Sequence, residues 1–127
     1  MSKISVNEYL SLYLDKSNNQ LSNLANFVAI IKEMVDDLNW VGFYLYDDKQ
    51  LYLGPFQGKA AVQNIPMGEG VCGLAAQNKE TIIVDDVHAF VGHIACDDAS
   101  NSEIVIPIIK DQTLIGVLDI DSPRHQR

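Results

Sequence analysis

Residues 87–108, VHAFVGHIACDDASNSEIVIPI, place His88, His93, Cys96, Asp97, Asp98 and Glu103 close together and then run straight into an apolar strand. A thiol can serve as nucleophile, redox centre or metal ligand, and carboxyls can hold a cation or deliver a proton. A second group closes the stretch LIGVLDID. Side chains alternate along a strand, so Asp119 and Asp121 project from one face. Like charges that close raise each other's pKa unless a cation or a shared proton sits between them. Two readings follow: a strand that has reached solvent and turns at Ser122-Pro123, or a pair that faces a substrate ammonium, a metal or a protonated acid. The third candidate is Cys72, after GEGV. In the first turn of a helix the free N–H groups and the positive dipole end favour a thiolate, although a buried cysteine can equally be a small core residue.

His88, His93 and Cys96 are metal-ligand types at short spacing, and Cys72 would have to complete such a site from a distance. Structural zinc sites use paired ligand motifs, which this chain lacks, so neither a metal nor an organic cofactor is expected. The histidines are instead expected to orient the loop by hydrogen bonding or to be solvated.

These groups need a scaffold, and the composition limits its kind. The chain has 127 residues, enough for one domain with a core that needs no disulfide staple. With 47% hydrophobic and 20% charged residues it is too apolar for disorder. A net charge of −8 would repel nucleic acid and anionic membrane surfaces. No stretch is long and apolar enough to span a bilayer and no signal peptide is recognisable, so a cytoplasmic location is expected, with both cysteines reduced most of the time.

The pattern predicts an α+β domain. Ser17 and Gln20 read as a capping box opening a helix with an apolar stripe at Leu21, Leu24, Val28, Ile31, Val35 and Leu38, after a shorter helix around VNEYLSLYL. NWVGFYLYDDKQLYLGPF predicts an antiparallel hairpin turning at Asp47-Asp48-Lys49, with a third strand near AAVQNIP. GEGVCGLAAQNK reads as a glycine turn opening a short helix. EIVIPII and TLIGVLDID form strands joined at Lys110-Asp111-Gln112, and Pro107 predicts an edge or a bulge.

The stretches NWVGFYL, LGPFQGK, IPMGEGVCG, DVHAF, GHIACD, SEIVIPI and LIGVLDIDSP, in this order over residues 39–123, resemble the free methionine-(R)-sulfoxide reductases. The resemblance implies a GAF-like fold, an antiparallel sheet of about six strands flanked by helices, with N-terminal helices over 5–38 and sheet and active-site loop over 39–123 of a single domain, 1–127. It implies that Cys96 attacks the sulfoxide sulfur of free L-methionine (R)-sulfoxide, releases methionine and becomes a sulfenic acid. Glu103, Asp119 and Asp121 are implied to hold the substrate ammonium and protonate the sulfoxide oxygen, and Trp40 to pack against the substrate methyl. Recycling through an intramolecular disulfide reduced by thioredoxin is implied as well. The substrate carboxylate is expected on backbone amides of the Gly68–Gly73 turn, with Gly70 and Val71 at the helix start.

This chain departs from the family pattern in two places. Val62 stands where many members carry a resolving cysteine, which leaves Cys72 as the internal candidate. The further helix that usually follows DIDSP has no counterpart in the chain, and apolar surface left open by it could support a homodimer. The second function class is a GAF-type sensory module that binds a small ligand and turns nothing over.

Overall fold

The computed structural model describes residues 5–90 and 99–126. Cys96 and His93 lie outside the described residues. Three helices, α1 (Val6–Tyr13), α2 (Gln20–Met34) and α3 (Gly70–Asn78), accompany strands β1 (Trp40–Tyr46), β2 (Gln50–Gln57), β3 (Asn64–Pro66), β4 (Ile82–Val84), β5 (Ser102–Lys110) and β6 (Thr113–Ser122). The strands form one sheet in the order β3-β2-β1-β6-β5-β4, and every neighbouring pair is antiparallel.

Period-two alternation divides the core between the two faces of this sheet. Val41 and Phe43 of β1 and Leu118 of β6 meet Val28 of α2, with Leu24, Phe27 and Ile31 packed against them. Trp40 and Tyr44 of β1, Val105 of β5 and Val117 of β6 face the other way, onto Val71, Cys72, Ala75 and Ala76 of α3. Adjacent residues of one strand thus serve different layers, as the alternation of Cβ directions requires.

The start of α2 differs from the expected capping box. Asn19 is the N-cap, its side chain accepting from the Leu21 amide at 2.9 Å, while the Ser17 amide donates to Asp15. Asn and Ser cap about equally well, so the residue adjacent to the helix takes the position. The helix also stops at Met34, with Val35 as C-cap, so Leu38 packs on the core from the connection to β1.

The turns follow their chemistry. Asp47 accepts from the amides of Lys49 and Gln50, and Asp48 takes a left-handed φ of 73° between β1 and β2. Asp111 and Gln112 both have positive φ, 51° and 66°, in the two-residue connection of β5 to β6, the geometry that matches strand twist in a tight hairpin. Pro107 pairs with Val117 on one side, and on the other β4 has already ended, with Ile82 opposite Val105. The proline therefore sits where β5 is locally an edge.

No helix of the described residues is long and apolar enough to cross a membrane.

Candidate active site

Register brings the acids together. Asp121 of β6 lies between Trp40 of β1 and Glu103 of β5, and Asp119, two residues earlier, lies between Gly42 and Val105. Glu103, Asp119 and Asp121 are 7%, 1% and 3% exposed, so the strand end does not run out into solvent. The solvent reading of this pair is excluded. Oδ1 of Asp119 and Oδ1 of Asp121 have no hydrogen-bond partner among the described residues, while the three carboxyls also bond one another.

Burial pushes the Asp119 carboxyl well above the usual carboxylate range, and the neighbouring Asp121, Cys72 and Glu103 push it the same way. Burial likewise raises Asp121, with Glu103 adding to the rise, whereas hydrogen bonds from Asp119 and Ser100 work against it. Such a cluster favours protonated carboxyls, and a cation entering it would favour the charged forms.

Helix α3 supplies the opposite wall. Its N-cap, Glu69, makes no side-chain capping bond, and Gly70 (φ 64°), Val71 and Cys72 form its first turn, all buried. Gly68 (φ 84°) makes the approach, its amide donating to the Gly73 carbonyl at 2.9 Å. Gly73 is a packing requirement: a Cβ there would lie 2.5 Å from the Pro66 carbonyl oxygen. A cavity lined by Glu69, Gly70, Val71, Cys72, Glu103 and Asp119, with Ile65, joins the helix start to the acids, and none of these residues is basic.

Trp40 lies beside the acids, opposite Asp121 in the β1–β6 register. The indole is fully buried, donates from Nε1 to the Lys59 carbonyl at 3.0 Å, and stacks between Phe56 and Tyr44 with ring centroids 5.3 and 6.0 Å away. Its six-membered ring lies over Gly42, where a Cβ would come within 2.4 Å of Trp40 Cη2 and 2.5 Å of Phe56 Cβ. Gly42→Ala is accordingly expected to destabilise the fold by about 2 kcal/mol through overpacking, lowering the melting temperature by roughly 5–10 °C in a calorimetric scan. A melting temperature within 1–2 °C of the parent's, roughly the shift of a neutral surface change, would show that the indole is loosely held.

The structure thus gathers Trp40, Gly70, Val71, Cys72, Glu103, Asp119 and Asp121, and leaves His88 outside the group. His88 Nε2 contacts Asn101 Oδ1 at 3.0 Å, an orienting bond of the kind expected for it. Among the described residues, Cys72 is within ligand reach of Glu103 and Asp119. Sequence reasoning missed Ser100 and Asn39. Ser100 is buried, accepts from Asn39 Nδ2 at 2.9 Å and bonds the Asp121 carboxyl. Asn39 also donates its backbone N–H to the Asp121 carbonyl. The available signals were a small polar residue two positions before β5 and an Asn directly before β1, which turns and loops show routinely.

A six-stranded antiparallel sheet with α2 on one face and α3 on the other is an α+β architecture, and residues 24–127 match the model of the GAF domain. The chain belongs to the GAF domain family. It is 56% identical over 102 residues to the free methionine-R-sulfoxide reductase of Escherichia coli, an alignment covering 80% of this chain and 62% of that protein. The chain therefore spans somewhat under two thirds of that relative's length. The free methionine-R-sulfoxide reductase of Neisseria meningitidis, solved in complex with its substrate, is 44% identical with a TM-score of 0.88, over 96% of this chain and 73% of that one. A putative GAF sensor protein of Burkholderia vietnamiensis is 50% identical, also with a TM-score of 0.88, over 96% and 77%.

Proposed function

We propose that the chain reduces free L-methionine (R)-sulfoxide to methionine, with Cys96 as nucleophile and the buried acids as the recognition and proton-transfer group. The observation that carries this reading is the cluster of buried Glu103, Asp119 and Asp121, across from the first turn of α3 in a cavity whose lining holds no basic side chain among the described residues. Such a cluster suits a compact cation that arrives together with an acceptor for a proton. Methionine sulfoxide carries both, an ammonium and a sulfoxide oxygen.

The chemistry balances with residues of this chain. The Cys96 sulfur attacks the sulfoxide sulfur and a protonated carboxyl of the Asp119–Asp121 pair covers the oxygen. The hydroxyl then passes from the methionine sulfur to the Cys96 sulfur as the S–O bond to methionine breaks, the transient bond between the two sulfurs breaks with its electron pair returning to methionine, and methionine leaves Cys96 as the sulfenic acid. A second thiol condenses with that acid, giving a disulfide and water. Cys72 is the thiol we assign, and thioredoxin is the reductant that a disulfide, but not a sulfenic acid, would admit. Cys96 precedes the buried Ser100 by four residues.

The remaining ends of the substrate have their own partners. Gly70 and Val71 head α3 without a side-chain cap, and amides at a helix start suit the substrate carboxylate. Gly68 and Gly73, part of the expected turn, already bond within the backbone through the Gly68 amide and Gly73 carbonyl, which narrows the assignment to the first two helical residues. Trp40 supplies apolar surface for the methyl end and depends on Gly42 to lie flat. Reduced thiols in the cytoplasm would sustain this cycle.

The Burkholderia relative named as a sensor keeps binding without turnover as the second reading. Incubation of the purified protein with dithiothreitol and racemic methionine sulfoxide separates the two. Methionine should appear until half of the racemate is consumed, and the S isomer should remain on a chiral column. Retention of both isomers with a measurable binding heat would favour the sensor.

A further inference from the structure

Cys72 Sγ and one carboxylate oxygen from each of Glu103 and Asp119 lie within 4.8 Å of one another, and all three residues are buried. The cavity between them has a volume of about 10 Å³, close to that of one water-sized sphere. Asp119, 99% buried, keeps Oδ1 without a hydrogen-bond partner among the described residues. A soft thiolate and two hard carboxylates, with room for one small occupant and no basic side chain in the lining among the described residues, form a donor set of metal type. Zinc bonds sulfur at about 2.3 Å and carboxylate oxygen at about 2.0–2.2 Å, so its tetrahedral ligand atoms stand about 3.3–3.7 Å apart. Side-chain adjustments of about 1 Å close the present spacing to that value.

We infer that Cys72, Glu103 and Asp119 form a reversible binding site for a thiophilic divalent cation such as Zn²⁺, with a fourth position left for water. Binding releases the thiol proton and those held on the carboxyls, and leaves the cation's charge balanced by one thiolate and the acids. The site requires no change of fold, because its donors come from α3, β5 and β6, which already pack together. Occupancy would exclude a substrate ammonium from the same acids and so inhibit turnover. That consequence rests on the reductase reading, whereas the binding itself does not.

Cobalt is the probe, because Co²⁺ bound to thiolate absorbs in the near ultraviolet and occupies zinc-type sites. One equivalent of Co²⁺ added to the reduced, chelator-free chain should produce the sulfur-to-metal band, and one equivalent of Zn²⁺ should abolish it. Cys72→Ser and Asp119→Asn, both nearly isosteric and checked for native circular dichroism, should lose the band, and Cys96→Ser should keep it. No band in the parent protein would overturn the site, as would a band that survives Cys72→Ser or Asp119→Asn or that Cys96→Ser removes. Because the readout is absorption, the result stands whether or not the chain reduces methionine sulfoxide.

Discussion

Cys96→Ser is expected to release no methionine from methionine sulfoxide, even when enzyme exceeds substrate. A serine hydroxyl cannot accept the sulfoxide oxygen to form a sulfenic acid, so the loss should be complete within detection instead of a fractional drop. Cys72→Ser should separate the two halves of the cycle. Its Cys96 can still be oxidised once, giving about one methionine per active site. Dithiothreitol can reduce that sulfenic acid directly and should sustain turnover, whereas thioredoxin attacks disulfides and should not. Quenched-flow assay of the first turnover, with mass spectrometry of the oxidised protein, reads both. A Cys72–Cys96 linkage in the parent fits the account, and methionine formation by Cys96→Ser would remove its nucleophile.

The second large effect should come from Asp119→Asn, which is expected to lower kcat/KM by about 2–4 kcal/mol of transition-state stabilisation while making the fold more stable at neutral pH. Burial and the neighbouring Asp121, Cys72 and Glu103 raise the Asp119 pKa in the folded protein above its unfolded value. The native state then binds more protons than the unfolded chain as pH rises from the ordinary carboxylate range, so this group's stability contribution is full below the unfolded pKa and falls as pH climbs. An uncharged amide of the same shape does not suffer that fall. The variant should match the parent near pH 4 and exceed it by about 1 kcal/mol or more at pH 8, read from paired urea titrations. Equal stability at both pH values would indicate that the cluster is relieved by another group. Such opposition between stability and activity is what a buried like-charge site built for an absent cation should show.

Much of this arrangement was legible in the chain before any fold was known. The alternation in LIGVLDID placed Asp119 and Asp121 on one side of β6, and the glycines of GEGVCG placed Cys72 in the first turn of a helix. The hairpin at Asp47–Lys49 and the tight turn at Asp111-Gln112 follow from short-range backbone preferences. What the sequence could not supply was register between distant strands. Glu103 meets Asp121 only because β5 pairs with β6 in one of two alternation phases; a slip by one residue would turn Glu103 to the α2 face. Solvent was an equal candidate for the end of β6 because spacing alone does not tell which residues cover it, namely Trp40, α3 and Ser100. The same limit hid Gly42, whose role appears only when the indole two residues earlier lies over it. Local competition explains the shifted cap of α2, where Asn19 and Ser17 were both competent and the residue nearer the apolar stripe prevailed.

The central claim is that Glu103, Asp119 and Asp121 recognise the ammonium of a free amino acid. It is tested most directly by comparing kcat/KM for free methionine (R)-sulfoxide with that for its N-acetyl derivative on the unmodified chain, with dithiothreitol in excess. Acetylation removes the positive charge and leaves the sulfoxide intact, so the acids would be buried against a neutral amide with no compensating cation. The account predicts that the N-acetyl compound is slower by about three orders of magnitude or more. Comparable rates for the two compounds would contradict it, since the ammonium would then contribute nothing to recognition.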